Sequence, residues 1–355
     1  MTKDASPWGE RATEFFYKLT PEKILGALEA SLGVRCTGRS FAHNSLENRV
    51  YELEIELDGD RSLSTSSFER YKIVKFYRPS RWTKEQILEE HAFLNTLKNE
   101  DIPVVAPLPF QDGQTLHTLT ESNIHYAVFP KVGGRAPEEL TKEQVERIAR
   151  LMARVHAVGA QMKPKHRIAI NQVSYGLNNL SFLLSESLIS PSCEAAYESA
   201  VRQICDMSAP WFETAASIQL HGDCHLGNIL WGPNGPFLVD FDDSVIGPPI
   251  QDLWLLLPGR DRYAQEMLQQ ILSSYQMMRE FDMSSIRLIE PLRALRMIHF
   301  SAWVGKRRQD PAFMRYFPDY GSERYWQIQL QDLREQIDAI QNQARIWQAG
   351  VQDYV

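Results

Sequence analysis

The hydrophobic pattern changes period partway along this 355-residue chain, and that change limits the possible folds more than any bulk property does. Before residue 130 the strand-like runs alternate. Val50, Leu53, Ile55 and Leu57 mark one β-like run over 48–57, and a second follows over 71–77 after a polar, Ser-rich insert at 58–67. Two antiparallel strands joined by a surface loop fit this pattern. Pro130, Gly133, Gly134 and Pro137 then form a dense cluster of breakers, beyond which the helical period takes over. Over 141–158, Val145, Ile148, Ala149, Met152 and Val155 describe a single apolar stripe. Strands first and helices second imply an α+β fold. The expected division is a small β-rich N-terminal lobe at 1–130 and a larger helical C-terminal lobe at 131–355, with a ligand cleft between them.

Local signals fill in the elements. Thr20-Pro21 caps a helix over 20–32 that Gly33 ends, and Thr83 with Gln86 three residues on caps a second over 84–98. Short strands are expected at 125–129, 218–221 and 237–241, and long amphipathic segments at 261–308 and 322–347. Net charge is -7, and no run of five like charges marks a nucleic-acid tail or a polybasic membrane anchor. Cys36, Cys193, Cys205 and Cys224 are scattered and form no CxxC pair, which suggests reduced thiols rather than a zinc site or a disulfide framework. The first thirty residues contain no apolar leader segment, and no apolar run reaches the roughly 18 residues of a membrane span. A cytoplasmic monomer that binds neither nucleic acid nor membrane is expected.

The chemistry is concentrated in His221-Gly222-Asp223-Cys224-His225-Leu226-Gly227-Asn228 and in Phe237-Leu238-Val239-Asp240-Phe241-Asp242-Asp243. Phosphoryl transfer from ATP needs a carboxylate to orient and deprotonate the acceptor hydroxyl, and hard oxygen ligands to hold Mg²⁺ against the phosphates. Asp223, Asn228 and Asp240 are residues of these types. The Asp-x-x-x-x-Asn spacing is that of the protein-kinase catalytic loop. The second Asp follows about a dozen residues later, after a hairpin turned by Gly232, Pro233, Asn234 and Gly235.

These segments resemble the aminoglycoside phosphotransferase and choline kinase superfamily, a branch of the protein-kinase-like fold. Within it, the chain is similar to a group of bacterial stress-response kinases. That closer likeness is carried by Ser45–Tyr51, Val74–Pro79, Ile87–His91, Ala127–Pro130, the HGDCH segment and Gln251–Trp254, and is extended by Glu290–Ala294. The resemblance implies a bilobal kinase fold with ATP as co-substrate and Mg²⁺ as cofactor. It implies that Asp223 is the catalytic base, that Asn228 and Asp240 bind the metal, and that Lys75 grips the α- and β-phosphates and pairs with Glu90. Ser45 would lie in the loop covering the phosphates. Protein substrates with Ser or Thr hydroxyls are favoured by the group likeness. The alternative is a small-molecule kinase acting on an aminoglycoside-, choline- or homoserine-like alcohol, since one scaffold serves both. A nucleotide-binding scaffold without catalysis should lack a catalytic residue, and none of Lys75, Asp223, Asn228 or Asp240 is missing.

Some assignments have competitors. Lys72 lies on the same strand as Lys75, and Glu89 precedes Glu90. His221 reads as an architectural residue beneath the catalytic loop, and His225 as positional or substrate-facing. Asp242 is a second metal ligand or a surface carboxylate. Asp252 is expected to anchor the loop, and Cys224 to be a small buried hydrophobe. Three departures from protein kinases stand out. His43-Asn44-Ser45 replaces the GxGxxG loop, Gly222 takes the place of an arginine, and Phe241-Asp242 replaces Phe-Gly. Only eleven residues, Phe241 to Gln251, separate Asp240 from Asp252, and Ser244 is the sole hydroxyl among them. Activity is therefore expected to need no phosphate in this segment, although autophosphorylation elsewhere, as in Ser62–Ser67, remains compatible with it.

Overall fold

The computed structural model describes residue 16 and residues 18–43, 45–57 and 68–348, so Asn44 and the 58–67 insert lie outside the described residues. Named in chain order, the strands are β1 (Cys36–His43), β2 (Arg49–Ile55), β3 (Tyr71–Phe76), β4 (His117–Leu119), β5 (Ile124–Pro130), β6 (Ile218–Leu220), β7 (Ile229–Gly232), β8 (Gly235–Leu238) and β9 (Val245–Gly247). The helices are α1 (Pro21–Leu32), α2 (Lys84–Asn99), α3 (Lys142–Gly159), α4 (Asn178–Ser185), α5 (Glu194–Thr214), α6 (Ile250–Trp254), α7 (Arg262–Gln276), α8 (Ile289–Gly305), α9 (Pro311–Tyr316) and α10 (Glu323–Gln341). The class is mixed α+β, as the change of hydrophobic period implies. The chain divides into two compact units. The first takes in 1–136, 229–242 and 310–312, and the second takes in 137–228, 243–309 and 313–355.

The first unit is built on an antiparallel five-stranded sheet in the order β1-β2-β3-β5-β4. Its core holds Leu28 of α1 with Leu53, Val74, Phe76, Ile124 and Val128 from the sheet. Thr20 caps α1 through its hydroxyl and Gly33 closes it at φ +66°, while α2 carries the full Thr83–Gln86 capping box. The β7–β8 hairpin belongs to this unit and attaches through Val104 beside Leu238 and Arg135 beside Trp231. In the second unit α5, α8 and α10 enclose a core that includes Tyr197, Val201, Leu295, Ile298 and Trp326. Helix α3 again starts with a complete capping box, and its apolar stripe is buried.

Three expectations change in detail. Strand β1 has no apolar alternation to signal it, because it is exposed along almost its whole length. The expected strand at 237–241 ends at Leu238, with Asp240 at φ +61° and a short 3₁₀ turn at Phe241–Asp243. The amphipathic tract 261–308 is two helices, α7 and α8, separated by a 3₁₀ segment at Met283–Leu288 that Asp282 caps.

Candidate active site

In the second unit the segment after β6 is shaped by a buried carboxylate. Asp252 of α6 is fully buried and accepts the backbone N–H groups of His221 at 2.9 Å and Gly222 at 2.8 Å, while His156 lies 3.1 Å away. The side chain of Gln251 donates to the Gly222 carbonyl at 3.0 Å. Gly222 has φ +88°, and a Cβ there would stand 2.0 Å from the Asp243 carbonyl oxygen. No side chain fits, which is a physical reason for glycine where many kinases carry arginine. The imidazole of His221 is buried and its Nδ1 accepts the Asp223 N–H at 3.3 Å. Cys224 is buried against the Met152 sulfur, and burial pushes its thiol well above the usual range, as an inert core residue requires.

Asp223 emerges from this frame. Its Oδ2 lies 3.4 Å from His225 Nε2 and its Oδ1 lies 2.8 Å from a guanidinium nitrogen of Arg296 on α8. Oδ1 is buried and, despite that short distance, accepts no aligned hydrogen bond, so it keeps acceptor capacity. Burial by itself would raise the Asp223 pKa. The hydrogen bond from His225 and the charges of Arg296, His225 and His221 outweigh it and hold the carboxyl well below the usual carboxylate range. Asp223 is therefore ionised wherever the protein is folded at ordinary pH. Asn228 is buried and donates its side-chain nitrogen to the Asp223 carbonyl at 2.9 Å, which leaves the amide oxygen as the end that can bind a cation.

In the first unit β3 places Lys75 among carboxylates. Its Nζ is 3.0 Å from Asp240 Oδ1 and hydrogen-bonded to Asp242. Burial would depress the Lys75 pKa, but the charges of Asp240, Asp242 and Glu90 raise it, so the ammonium is permanent. Lys75 is 9% exposed, whereas Lys72 is partly exposed and bonded to the Glu69 carbonyl. Glu90 on α2 is buried and Glu89 is only partly so. Glu90 acts on Lys75 through its charge, while the direct contacts of the ammonium run to Asp240 and Asp242.

Asp242 is not a surface carboxylate. It is 3% exposed and takes hydrogen bonds from Lys75, from Asn48 Nδ2 and from Arg81 at 3.4 Å. Arg78 continues the network, with contacts to Asp310 at 2.9 Å and Glu47 at 3.2 Å and its backbone N–H bonded to Asn48 Oδ1. Asp240 differs from Asp242. Its side chain is 54% exposed and its backbone lies in the left-handed region, a strained setting that often accompanies function. Ser45 accepts the Asn48 N–H on its hydroxyl at 3.3 Å and its carbonyl accepts from Arg49, so its local bonds shape the turn into β2.

The residue spacing pointed to Asp223, Asn228 and Asp240. It did not single out Arg296, Asn48, Arg78 or Arg81. Their partners are far away in sequence, and a lone cation on a helix or in a loop carries no local pattern. Arg78 is recoverable only as part of the Val74–Pro79 block.

Among the described residues no group of three His, Cys, Asp or Glu side chains could hold a metal. The Asn228 amide oxygen, in the second unit, and the exposed Asp240 carboxylate, in the first, are hard oxygen donors. No helix among the described residues is long and apolar enough to cross a membrane.

A model of the phosphotransferase enzyme family matches residues 43–289. Stress response kinase A of Escherichia coli O157:H7 is 41% identical over 327 residues, covering 92% of this chain and 95% of that protein. A Salmonella typhimurium protein named serine/threonine protein kinase RdoA is 40% identical over 322 residues. The chain belongs to the phosphotransferase enzyme family, in its stress response kinase A group. This phosphotransferase is an ATP-dependent kinase. Its fold is shared with solved structures of low sequence identity. Amicoumacin kinase, in complex with AMP-PNP, Ca²⁺ and its ligand, has a TM-score of 0.66 at 17% identity and covers 88% of this chain and 96% of its own. Choline kinase LicA from Streptococcus pneumoniae has a TM-score of 0.54 at 16% identity, with 90% and 97% covered.

Proposed function

We propose that this phosphotransferase is a Mg²⁺-dependent serine/threonine protein kinase of a bacterial stress response. The observation that carries the chemistry is Asp223, an ionised carboxylate whose buried Oδ1 lacks an aligned donor. An acceptor hydroxyl is the donor that fits. As the bond from the γ-phosphorus to the ADP oxygen breaks and a bond to the acceptor oxygen forms, the hydroxyl proton passes to Asp223. A carboxyl of low pKa is a weak base, so its main contribution is to orient the hydroxyl until phosphorus has drawn off its electrons. The preference for protein acceptors rests on the 40% identity to the kinase named for serine and threonine.

The remaining roles are those that the family resemblance implies. Lys75, charged at every physiological pH, supplies the cation for the α- and β-phosphates, and Glu90 keeps that charge in place. Asn228 and Asp240 would hold Mg²⁺, which when bound neutralises phosphate charge. Ser45 and its turn would cover the phosphates. Residues 1–130 then serve mainly nucleotide binding, and 131–355 catalysis and acceptor binding.

The test is incubation of the purified protein with γ-labelled ATP, Mg²⁺ and a bacterial protein extract, followed by phosphoamino-acid analysis. Label on serine or threonine of extract proteins, absent with Asp223→Ala, is expected. Label entering only choline, an aminoglycoside or homoserine in parallel reactions would overturn the protein-kinase assignment.

A further inference from the structure

One face of α8 runs away from Asp223. Arg296, His299, Phe300 and Trp303 recur at the helical spacing of three and four residues, and Lys306 and Arg307 continue the face past the helix end. Arg296 is 44% exposed beside Asp223, and Lys306 is exposed with its Nζ 3.3 Å from Asn179 Oδ1. Phe300, 42% exposed, stacks on Trp303, and the Arg307 guanidinium lies 4.8 Å from the Trp303 ring centre.

At the centre of this face is His299. It stacks on Tyr175 at 4.4 Å and its Nδ1 accepts from the Asn179 side-chain amide at 3.2 Å. Burial lowers its pKa to about 4, and the charges of Lys306, Arg296 and Arg307 act in the same direction against Asp243. Three cations thus share one neighbourhood, and burial foremost, with their charges, keeps the imidazole neutral. Asp223, paired with Arg296, and Asp243 are among the carboxylates near them. Glu186, on the far side, is paired with Arg308 at 2.7 Å. In a chain of net charge -7, this positive field beside the catalytic carboxylate runs against the overall composition.

We infer that the acceptor is anionic: a Ser or Thr hydroxyl with Asp or Glu nearby in its own chain, recognised by the exposed Arg296 and Lys306 on either side of Phe300. A cationic alcohol would meet like charge here. From Arg296 to Lys306 the helix rises about 15 Å, which an extended acceptor covers in about four or five residues. The acidic positions should therefore fall within that distance of the phosphorylated hydroxyl, on one side of it. The exposed ring of Phe300, backed by Trp303, offers apolar surface for the peptide backbone between the charges. This inference rests on the protein-kinase assignment above.

The experiment compares Ser-centred peptides that differ only in the flanking residues, Asp/Glu, Asn/Gln or Lys/Arg, by kcat/KM with the full-length enzyme, Mg²⁺ and ATP. The acidic series should exceed the basic series by about tenfold or more, as attraction in one series and repulsion in the other add up over exposed charges. Lys306→Glu should reduce that ratio by about threefold or more, and Lys306→Gln by less, each variant checked for a wild-type melting profile. Equal rates, or a preference for basic peptides, would overturn the inference while leaving the protein-kinase assignment intact. If no peptide is phosphorylated, small alcohols decide both points. Turnover of glycerate or a phosphorylated alcohol over choline removes the protein acceptor but keeps the anionic preference, and turnover of choline alone removes both.

Discussion

At the scale of single residues, two carboxylates two positions apart in the chain have opposite settings. Asp242 is buried under Lys75, Asn48 and Arg81, whereas Asp240 is exposed and held at positive φ. Removing Asp242 strands buried donors, so Asp242→Ala should lose about 3 kcal/mol of unfolding free energy in urea. Asp240→Gly exchanges an exposed ion pair for relief of left-handed strain and should stay within about 1 kcal/mol of wild type, while metal-dependent turnover falls sharply. Measured by urea titration, the reverse order would contradict the division of labour. His299 gives a pH prediction. Its folded pKa, about 4, lies below the ordinary histidine value, so between the two the unfolded chain binds more protons and stability rises with pH. The contribution is complete above about pH 6.5 and is lost as pH falls towards about 4, with a slope of up to about 1.4 kcal/mol per pH unit. His299→Gln should flatten the stability curve in that window, and an unchanged slope would count against a neutral buried imidazole. Asp223, Asn228 and Asp240 drew notice in the sequence because their spacing matches the one that kinase chemistry requires. Arg296 was not, since its partner lies 73 positions earlier and neither residue's neighbours announce the pair.

At the scale of elements, the segment that carries Asp223 is held by α6 as well as by the hydrogen bonds of its own turn. Asp252 takes two buried backbone N–H groups and Gly222 allows the chain to pass close to Asp243. Asp252→Ala leaves those donors without an acceptor, at about 1–3 kcal/mol each. The expected outcome is a lower melting temperature and a kcat reduced along with kcat/KM, while affinity for ATP changes little. An Asp252→Ala enzyme with wild-type kcat would show that α6 does not position Asp223. Capped elements were the easiest to read from sequence, because the capping residues of α1, α2 and α3 stand at fixed offsets from an apolar stripe. Exposed β1 was not legible, since strands announce themselves by alternating burial. The break between α7 and α8 was hidden by apolar residues, among them Ile286 and Leu288, that pack as well in a 3₁₀ turn as in a helix.

At the scale of the whole molecule, the stretch from Asp240 to Asp252 is short. Ser244, its only hydroxyl, is fully buried, donates to the Leu220 carbonyl at 2.8 Å and lies 3.3 Å from the Gln219 side chain. A kinase could reach it only by opening the β6–β9 pair. Enzyme stripped by phosphatase and verified by mass spectrometry should therefore keep its initial rate within about twofold, since ordering by an added phosphate has no acceptor here. Recovery of activity that depended on phosphate at Ser244 would contradict this. The central claim is that Asp223 orients the acceptor hydroxyl during transfer from ATP. Its most direct test is single-turnover phosphoryl transfer by Asp223→Asn, alongside nucleotide binding by calorimetry. The account predicts a rate lower by about 10²–10⁴-fold with Mg²⁺–ATP affinity largely retained, and a folded variant that transferred phosphate at the wild-type rate would contradict it.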